Sequence, residues 1–201
     1  MNENNNLINI SGDPFIIFDK WFKEAEKQEI NDPNAMNLAT VDKNDLPTSR
    51  IVLLKSYDDR GFVFYTNEKS KKGSSINSNP YVALNFHWKS IKKQIRIEGV
   101  ASKISSKETD DYFKTRPFES KIGAWASQQS NELRDRAELE ERIENYKKKF
   151  SNKLVDRPSY WVGFRVKPIL IEFWEEKPFR LHMRLQFTKK NNNWIAKNLY
   201  P

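Results

Sequence analysis

The sequence predicts an α+β protein in which antiparallel strands form a barrel and helices lie at its periphery. Two observations lead to this prediction. Strand-like segments follow one another with only short turn clusters between them, such as 42–45 and 57–61. Helical patterns occur in groups and do not alternate with single strands, which argues against a series of βαβ units. The chain of 201 residues is long enough to bury a core of this kind.

The first regular element is predicted to be a helix that follows an Asn-rich arm. Residues 1–12 are expected to be flexible, and residues 13–201 are expected to form a single domain. Asp13 and Pro14 mark the start of the helix, because Asp is a favoured N-cap and Pro suits the first helical position. Apolar residues at helical spacing continue the helix to about Ile30.

A series of strands is predicted next. Segments rich in β-branched and aromatic residues predict strands over Met36–Val41, Thr48–Lys55, Gly61–Thr66, Tyr81–Trp88 and Gln94–Ile104. The second of these strands is expected to be buried, because it contains four consecutive aliphatic residues. Residues 69–77 are rich in Lys and Ser and are predicted to form a short helix or a turn.

Helices and then strands are predicted in the second half of the chain. Ser105 and Glu108 have the spacing of a capping box, and the helix that they begin should end near Arg116, before Pro117. Two further helices are predicted over Phe118–Ala126 and Leu133–Phe150. Four strands complete the prediction, over Trp161–Val166, Leu170–Glu175, Arg180–Phe187 and Trp194–Leu199.

Composition narrows the functional classes. The chain has no Cys, so neither a disulfide framework nor a thiolate metal site is possible. It has two His residues and no carboxylates at ligand spacing, so no metal site is predicted. Glycine-rich nucleotide loops and the Gly-x-Ser-x-Gly motif do not occur. The net charge of +8 favours anionic partners, and the lack of Cys, of a membrane-length apolar run and of a signal-peptide pattern predicts a cytoplasmic protein.

The stretch 180–185 places basic residues at alternate positions. If it is a strand, Arg180, His182 and Arg184 share one face, and that face can bind an anionic group. The alternative interpretation is a half-buried strand with a solvated basic face, and alternation alone favours this alternative.

Two other basic pairs lie beside predicted strands. Arg50 and Lys55 flank the second strand on opposite faces, so they can serve one site only if the strand end twists or bulges. Lys71 and Lys72 lie among serines after a strand end, where ammonium groups and hydroxyls can hold a phosphate. The alternative interpretation is a solvated loop, and composition alone favours this alternative for the second pair.

Several spaced motifs, taken together and in order, resemble the pyridoxamine 5′-phosphate oxidase family. They cover roughly residues 13–201. The motifs are the run 50–55, Phe64-Tyr65-Thr66-Asn67, Ser70-Lys71-Lys72, Gln94, Tyr112 followed by Arg116-Pro117, the run 120–125, Gln129-Ser130, Arg157-Pro158, Ile171-Glu172-Phe173-Trp174 and Arg180-Leu181-His182-x-Arg184.

The resemblance implies a fold, an activity and partners. The fold is an antiparallel split β-barrel that binds FMN, and the protein is expected to be a homodimer with FMN at the subunit interface. The expected activity is oxidation of pyridoxamine or pyridoxine 5′-phosphate to pyridoxal 5′-phosphate, with dioxygen reduced to hydrogen peroxide. Such an enzyme is an oxidoreductase acting on CH–NH2 donors. The family implies neither a nucleic acid nor a membrane as partner.

The resemblance also assigns residues to the site. The residues expected to bind FMN are Arg50, Ile51, Val52, Leu53, Leu54, Lys55, Tyr65, Thr66, Lys71, Lys72, Gln94, Gln129, Ser130, Trp174 and Arg184. The last four of these are expected to reach the cofactor across the dimer. The residues expected to hold the substrate phosphate are Lys55, Tyr112, Arg116 and Ser120. Arg180 and His182 are expected to be catalytic, because they would hold the substrate ring against the flavin.

Some features leave other functions open. Met183 stands where family members usually have Asp, and on a strand its side chain should point away from the His182 face. Lys93 stands where Arg is common, and residues 1–12 lack the Arg and Tyr that the family's arm often supplies. The alternatives are a related split-barrel flavin oxidase with another substrate, as in phenazine biosynthesis, a non-catalytic FMN- or pyridoxal-phosphate-binding protein, and a nucleic-acid-binding β-barrel. The phosphate-binding residues disfavour the first, and the lack of an aromatic platform disfavours the last.

Overall fold

The computed structural model describes residues 12–201. The predicted flexible arm therefore lies outside the described residues, apart from its last position. Five helices are described: α1 Pro14–Gln28, α2 Lys71–Ser78, α3 Ser106–Thr115, α4 Phe118–Ala126 and α5 Arg136–Phe150. The nine described strands are β1 Ala35–Val41, β2 Pro47–Leu53, β3 Ser56–Asp58, β4 Gly61–Asn67, β5 Tyr81–Trp88, β6 Lys93–Lys103, β7 Trp161–Glu175, β8 Met183–Lys190 and β9 Asn193–Leu199.

All nine strands belong to one curled antiparallel sheet, which confirms the predicted fold class. The order is β2-β1-β5-β6-β7-β4-β3, and β8 pairs with both β7 and β9. Strand β7 is the branch point of this half-barrel. Its first part pairs with β4 over 161–166, and its last part pairs with β8 over 170–175, while β6 lies along its other edge. None of the helices in residues 12–201 is long and apolar enough to cross a bilayer.

Strand β7 corrects the prediction of two separate strands. Trp161–Val166 and Leu170–Glu175 form one strand that continues through Pro168. Pro lacks a backbone N–H and normally interrupts a central strand. Here the pairing with β6 shifts register between Glu98 and Gly99, directly opposite Pro168, so an irregularity in the ladder accommodates the missing donor.

Strand β8 begins three residues later than predicted. Its pairing with β7 starts at Glu175 and Met183, so residues 176–182 have no strand partner. Arg180 instead ends a short 3-10 turn, and Phe179 and Arg180 have positive φ angles of 59° and 62°. The prediction that Arg180 shares a strand face with His182 and Arg184 is therefore wrong.

Strand β2 is not the buried strand that its composition predicts. It pairs only with β1 and forms one edge of the sheet, and its residues alternate between exposed and half-buried. Ile51 is 63% exposed and Leu53 is 37% exposed. Two exposed aliphatic side chains at an unpaired sheet edge offer a surface that another chain can cover.

Helix caps set the helix boundaries. Asp13 accepts a hydrogen bond from the Phe15 backbone N–H at 2.9 Å, and α1 follows as predicted. Helix α5 begins later than predicted, because Asp135 caps it by accepting from the Glu138 N–H. Ser105 caps α3, but the Glu108 carboxylate pairs with Arg165 and does not complete the capping box.

Two hydrophobic clusters lie on either side of the predicted site. The larger one packs α1 against the sheet, with Phe18 fully buried between Phe62 and Phe86. The smaller one lies under α3, α4 and α5 and includes Phe113 and Trp161. Together they hold the edge of β4 and the start of β7 against α3 and α4, where a cavity opens.

Candidate active site

A cavity of about 480 Å³ brings together most of the predicted site residues. The predicted residues that line it are Ile51, Val52, Leu53, Lys55, Tyr65, Thr66, Lys72, Tyr112, Arg116, Ser120 and Gln129. They come from β2, β4, α2, α3, α4 and the loop after α4. Thr115, Pro117 and Trp161 also line the cavity and were not predicted. None of the described lining residues is a carboxylate, so the cavity is cationic.

Lys72 is the most buried cation of the cavity. Its side chain is 8% exposed, and its Nζ donates to Thr66 Oγ1 at 3.1 Å and to Ser70 Oγ at 3.3 Å. Burial, with a smaller contribution from the charge of Arg50, lowers the pKa of Lys72 to about 8. A buried amine held by two hydroxyls and by no carboxylate is arranged to bind an anion.

Arg50 lies just behind this amine. Its guanidinium donates to Thr40 Oγ1 at 2.7 Å and to Thr48 Oγ1 at 2.6 Å, and burial lowers the pKa of Arg50. It therefore adds positive charge near Lys72 without lining the cavity itself. Lys55 follows the end of β2, where strand alternation no longer applies, and this allows it to line the cavity.

The loop after α4 closes the cavity beside the start of α2. Thr66 Oγ1 lies 3.4 Å from Gln129 Oε1, and the Lys71 backbone N–H donates to Ser130 Oγ at 3.2 Å. Gln129 and Ser130 therefore lie against their own chain, which differs from the expectation that they act across a dimer. Leu54 points into the core and does not line the cavity.

Arg116 provides a donor that the described residues leave unpaired. Its Nη1 atom is buried without a hydrogen-bond partner, and burial lowers the pKa of Arg116. The guanidinium stacks over the Trp161 ring at 4.7 Å, which fixes its plane at the cavity wall. An unpaired buried donor is costly, so this geometry indicates that an anionic ligand completes the cavity.

Three parallel aromatic rings form one wall. Tyr65 stacks on Tyr112 with centroids 4.1 Å apart and on Trp161 with centroids 5.0 Å apart. Burial raises the pKa of Tyr65 to about 12, so its hydroxyl stays protonated at neutral pH. Gly163 lies opposite Tyr65 in the β4–β7 ladder and leaves room for its ring. Trp161 carried no sequence signal beyond an aromatic residue at a strand start.

We expect Gly163→Ala to destabilise the protein. An added Cβ would lie 2.7 Å from Tyr65 Cε1 and 2.5 Å from Ile104 Cδ1, so the stacked rings would have to move. The expected loss is about 1–3 kcal/mol in the free energy of unfolding, measured by chemical denaturation. Gly123→Ala in α4 is the matched control: its Cβ would meet nothing within 4 Å, and removing a helical glycine should stabilise by up to about 1 kcal/mol. Equal stability of both variants would contradict this interpretation of the stack.

The remaining predicted residues form a second group, near the end of β7. Trp174 is the register partner of both Gln94 and Arg184. The His182 ring packs on Trp174 at 4.6 Å, and its Nδ1 accepts from the Lys177 backbone N–H at 3.3 Å. This assigns the proton of neutral His182 to Nε2, which can donate to a ligand. Arg180 is exposed on the turn beside it.

Met183 is the first residue of β8 and lies on the strand face opposite to that of Arg184. It shares a strand face with Leu185 and helps to line a smaller cavity of about 260 Å³ with Trp21 and Phe173. His182 and Arg184 border the same cavity. Met183 therefore adds an apolar side chain to a cavity that the second group also borders.

The two groups are far apart on one chain. Trp161 lines the first cavity, and Trp174 lies thirteen residues later on the same strand, which is roughly 43 Å of extended backbone. The two cavities share no lining residue. One chain therefore presents two separate halves of the predicted site.

The curled sheet and its cationic, aromatic-walled cavity define a split-barrel protein with a cavity suited to an anionic small molecule. A profile described as pyridoxamine 5′-phosphate oxidase matches residues 22–150, and one described as the pyridoxine 5′-phosphate oxidase C-terminal dimerisation region matches residues 161–201. The chain belongs to the pyridoxamine 5′-phosphate oxidase family.

Curated relatives support this assignment along nearly the whole chain. The pyridoxine/pyridoxamine 5′-phosphate oxidase of Bartonella quintana is 52% identical over 94% of this chain and 92% of its own. The enzyme of that name from Gluconobacter oxydans is 49% identical over 97% and 98%. Among solved structures, PhzG from Burkholderia lata in complex with tetrahydrophenazine-1-carboxylic acid is similar, with a TM-score of 0.91, 29% identity and coverage of 96% of this chain and 95% of that one.

Proposed function

We propose that this protein oxidises pyridoxamine and pyridoxine 5′-phosphate to pyridoxal 5′-phosphate, with FMN as cofactor and dioxygen as electron acceptor. The observation that carries the proposal is the cavity in which Lys55, Lys72 and Arg116 meet without a carboxylate. Such a cavity suits phosphorylated ligands, and curated relatives at about 50% identity are named for this activity.

The residues present fit FMN. Lys72 supplies an ammonium donor for its phosphate, Thr66 lies beside this amine in the cavity wall, and Arg50 adds positive charge behind them. When bound, FMN supplies two-electron oxidation of the substrate and reoxidation by dioxygen. The aliphatic side chains of Ile51, Val52 and Leu53 and the stacked aromatic wall offer apolar surface to the rest of the cofactor.

The substrate is proposed to bind between the two groups of residues. Arg116, with its unpaired Nη1, would hold the substrate phosphate together with Lys55, Tyr112 and Ser120. His182 would donate from Nε2 to a ring substituent, and Arg180 would cover the pyridine ring. These side chains orient the substrate for oxidation, and orientation is a large part of the catalysis that a protein adds to a cofactor.

A homodimer would unite the two halves of the site. The sheet face that carries Trp174 and Arg184 continues towards β2 through Asn85 and Asn37, which are register partners. The Oδ1 atoms of both asparagines are buried and have no hydrogen-bond partner among the described residues. Exposed Ile51 borders this face, and the C-terminal profile is described as a dimerisation region. A second copy on this face would place its Arg180–Arg184 segment at the first chain's cavity.

A related oxidase with another substrate is the main alternative. This alternative is based on the similarity to the PhzG structure. The sequence identity of this chain to PhzG is lower than its identity to the pyridoxine/pyridoxamine 5′-phosphate oxidases. A substrate without an anionic group would leave Arg116 Nη1 unpaired.

The test is to purify the protein, record its flavin absorbance, add pyridoxamine 5′-phosphate in air and follow both products. We expect hydrogen peroxide and pyridoxal 5′-phosphate to appear in equal amounts. A colourless protein that FMN cannot reconstitute would contradict the proposal. A yellow protein that yields no product would favour a non-catalytic binding function.

We expect FMN affinity to fall as the pH rises above about 8. The pKa of Lys72 is lowered to about 8, so the amine is charged below that pH and loses its proton above it. The FMN phosphate is already a dianion in this range, so the dissociation constant should rise by up to about tenfold per pH unit. Fluorescence titration from pH 7 to 9.5 measures this. Lys72→Met should abolish the dependence, and an unchanged dependence in that variant would assign it to another group.

A further inference from the structure

Glu172 is a buried carboxylate that the proposed reaction does not use. It lies near the C-terminal end of β7 and is 2% exposed. Its Oε1 accepts a hydrogen bond from Arg184 Nε at 2.9 Å, and its Oε2 lies 3.3 Å from Arg96 Nη2. Arg96 and Glu172 are register partners on β6 and β7, so the carboxylate is held between two guanidiniums.

A contribution to folding stability does not by itself explain why Glu172 is buried between two guanidiniums. Burying a carboxylate is costly, and replacing a buried ion pair by apolar side chains is often neutral or stabilising. The neighbouring positions on the opposite face of β7 are apolar, with Ile171 and Phe173 both in the core. The ion pair is instead placed on the face that carries the second group of site residues.

Arg184 is held at two of its three nitrogens. Nε donates to Glu172, and Nη1 donates to the Tyr200 carbonyl oxygen at 3.0 Å. The hydrogen bond that Arg184 donates to Glu172 also raises the pKa of Arg184. Nη2 has no acceptor among the described residues, and Trp174 lies beside it as the register partner. A guanidinium fixed in this way points one edge at a ligand with little loss of entropy on binding.

We propose that Glu172 is a positioning residue that fixes the Arg184 guanidinium in the orientation that binds FMN. The inference rests on the proposed function. Arg96 attracts the second carboxylate oxygen electrostatically from 3.3 Å, although it makes no hydrogen bond to it. Glu172 itself touches neither cofactor nor substrate in this arrangement and acts through Arg184.

A double-mutant cycle separates this role from a merely structural one. Glu172→Gln keeps the size of the side chain but replaces a charged acceptor by a weaker neutral one and places an amide N–H2 near Arg96. We expect the FMN dissociation constant to rise about fivefold to tenfold in Glu172→Gln, measured by quenching of flavin fluorescence. In the Arg184→Gln background, the same Glu172→Gln change should have no further effect on that constant.

Glu98→Gln is the matched control. Glu98 is an exposed carboxylate that lies 4.0 Å from the same Arg96 and does not contact Arg184, so its loss should leave FMN affinity unchanged. Wild-type affinity in Glu172→Gln, or an effect that persists in the Arg184→Gln background, would overturn the inference while the proposed function stands. A wild-type protein that binds no FMN would overturn both.

Discussion

Lys72→Met is expected to weaken FMN binding by about 100-fold, because it removes a charge-assisted contact to the phosphate from a buried position. The variant should still fold. The Nζ atom of Lys72 contacts only hydroxyls, so no buried carboxylate loses its partner in the variant. Met also matches the length of the Lys side chain. Equilibrium titration of the apoprotein with FMN, monitored by flavin fluorescence, measures the change.

Lys69→Met provides the control for this prediction. Lys69 precedes α2 by two residues and is exposed beside Tyr160, outside the first cavity. It should bind FMN like the wild type. Comparable losses in the two variants would indicate a general effect of positive charge, and an unchanged affinity in Lys72→Met would remove the amine from the cofactor site.

Arg180→Ala is expected to lower turnover by about 100-fold and to leave bound FMN in place, because the guanidinium orients the substrate ring and does not hold the cofactor. Its exposed position on the 3-10 turn means that no packing is lost with the side chain. Steady-state kinetics with pyridoxamine 5′-phosphate measure turnover, and the visible spectrum of the purified variant reports the flavin.

Arg134→Ala should have full activity. Arg134 is an exposed arginine whose guanidinium pairs with neighbouring Asp135, so this variant controls for loss of positive charge. An Arg180→Ala enzyme that loses its flavin spectrum would contradict the role assigned to Arg180, and so would one that turns over at the wild-type rate.

Local patterns predicted the elements whose boundaries depend on nearby residues. Asp13 and Pro14 start α1 as expected, and Phe118–Ala126 forms α4 with the predicted bounds. The alternation of Ile95 and Ile97 with polar neighbours matches the burial of β6. In each case the residues that predict the element lie within that element or directly beside it in the sequence.

The errors arose where pairing between distant strands decides the outcome. β7 passes through Pro168 because the register of β6 shifts opposite it, and no local pattern reveals that shift. Arg180 leaves the strand because the β7 ladder ends at Glu175. The exposure of Ile51 follows from the edge position of β2, which only the strand order determines.

The candidate site was predictable as a set of residues, but not as a geometry. The family resemblance supplied Lys72, Arg116 and His182, whereas the residues alone left solvated loops and strand faces as alternatives. The stacking of Trp161 on Tyr65 and the unpaired Nη1 of Arg116 depend on contacts between segments far apart in sequence. The separation of the two groups on one chain is likewise visible only in the fold.

The most direct test of the central claim, an oxidase site completed by two subunits, is subunit complementation between Lys72→Met and Arg180→Ala. Each variant alone should be nearly inactive when FMN is supplied at a concentration that saturates the wild-type site but not the weakened site of Lys72→Met. If the two residues of one site come from different subunits, every mixed dimer has one intact site, and a random mixture should recover about a quarter of wild-type activity. The measurement is peroxide and pyridoxal 5′-phosphate formation after the variants are unfolded together and refolded with FMN. Recovery near that level supports the account, and no recovery despite formation of mixed dimers would contradict it.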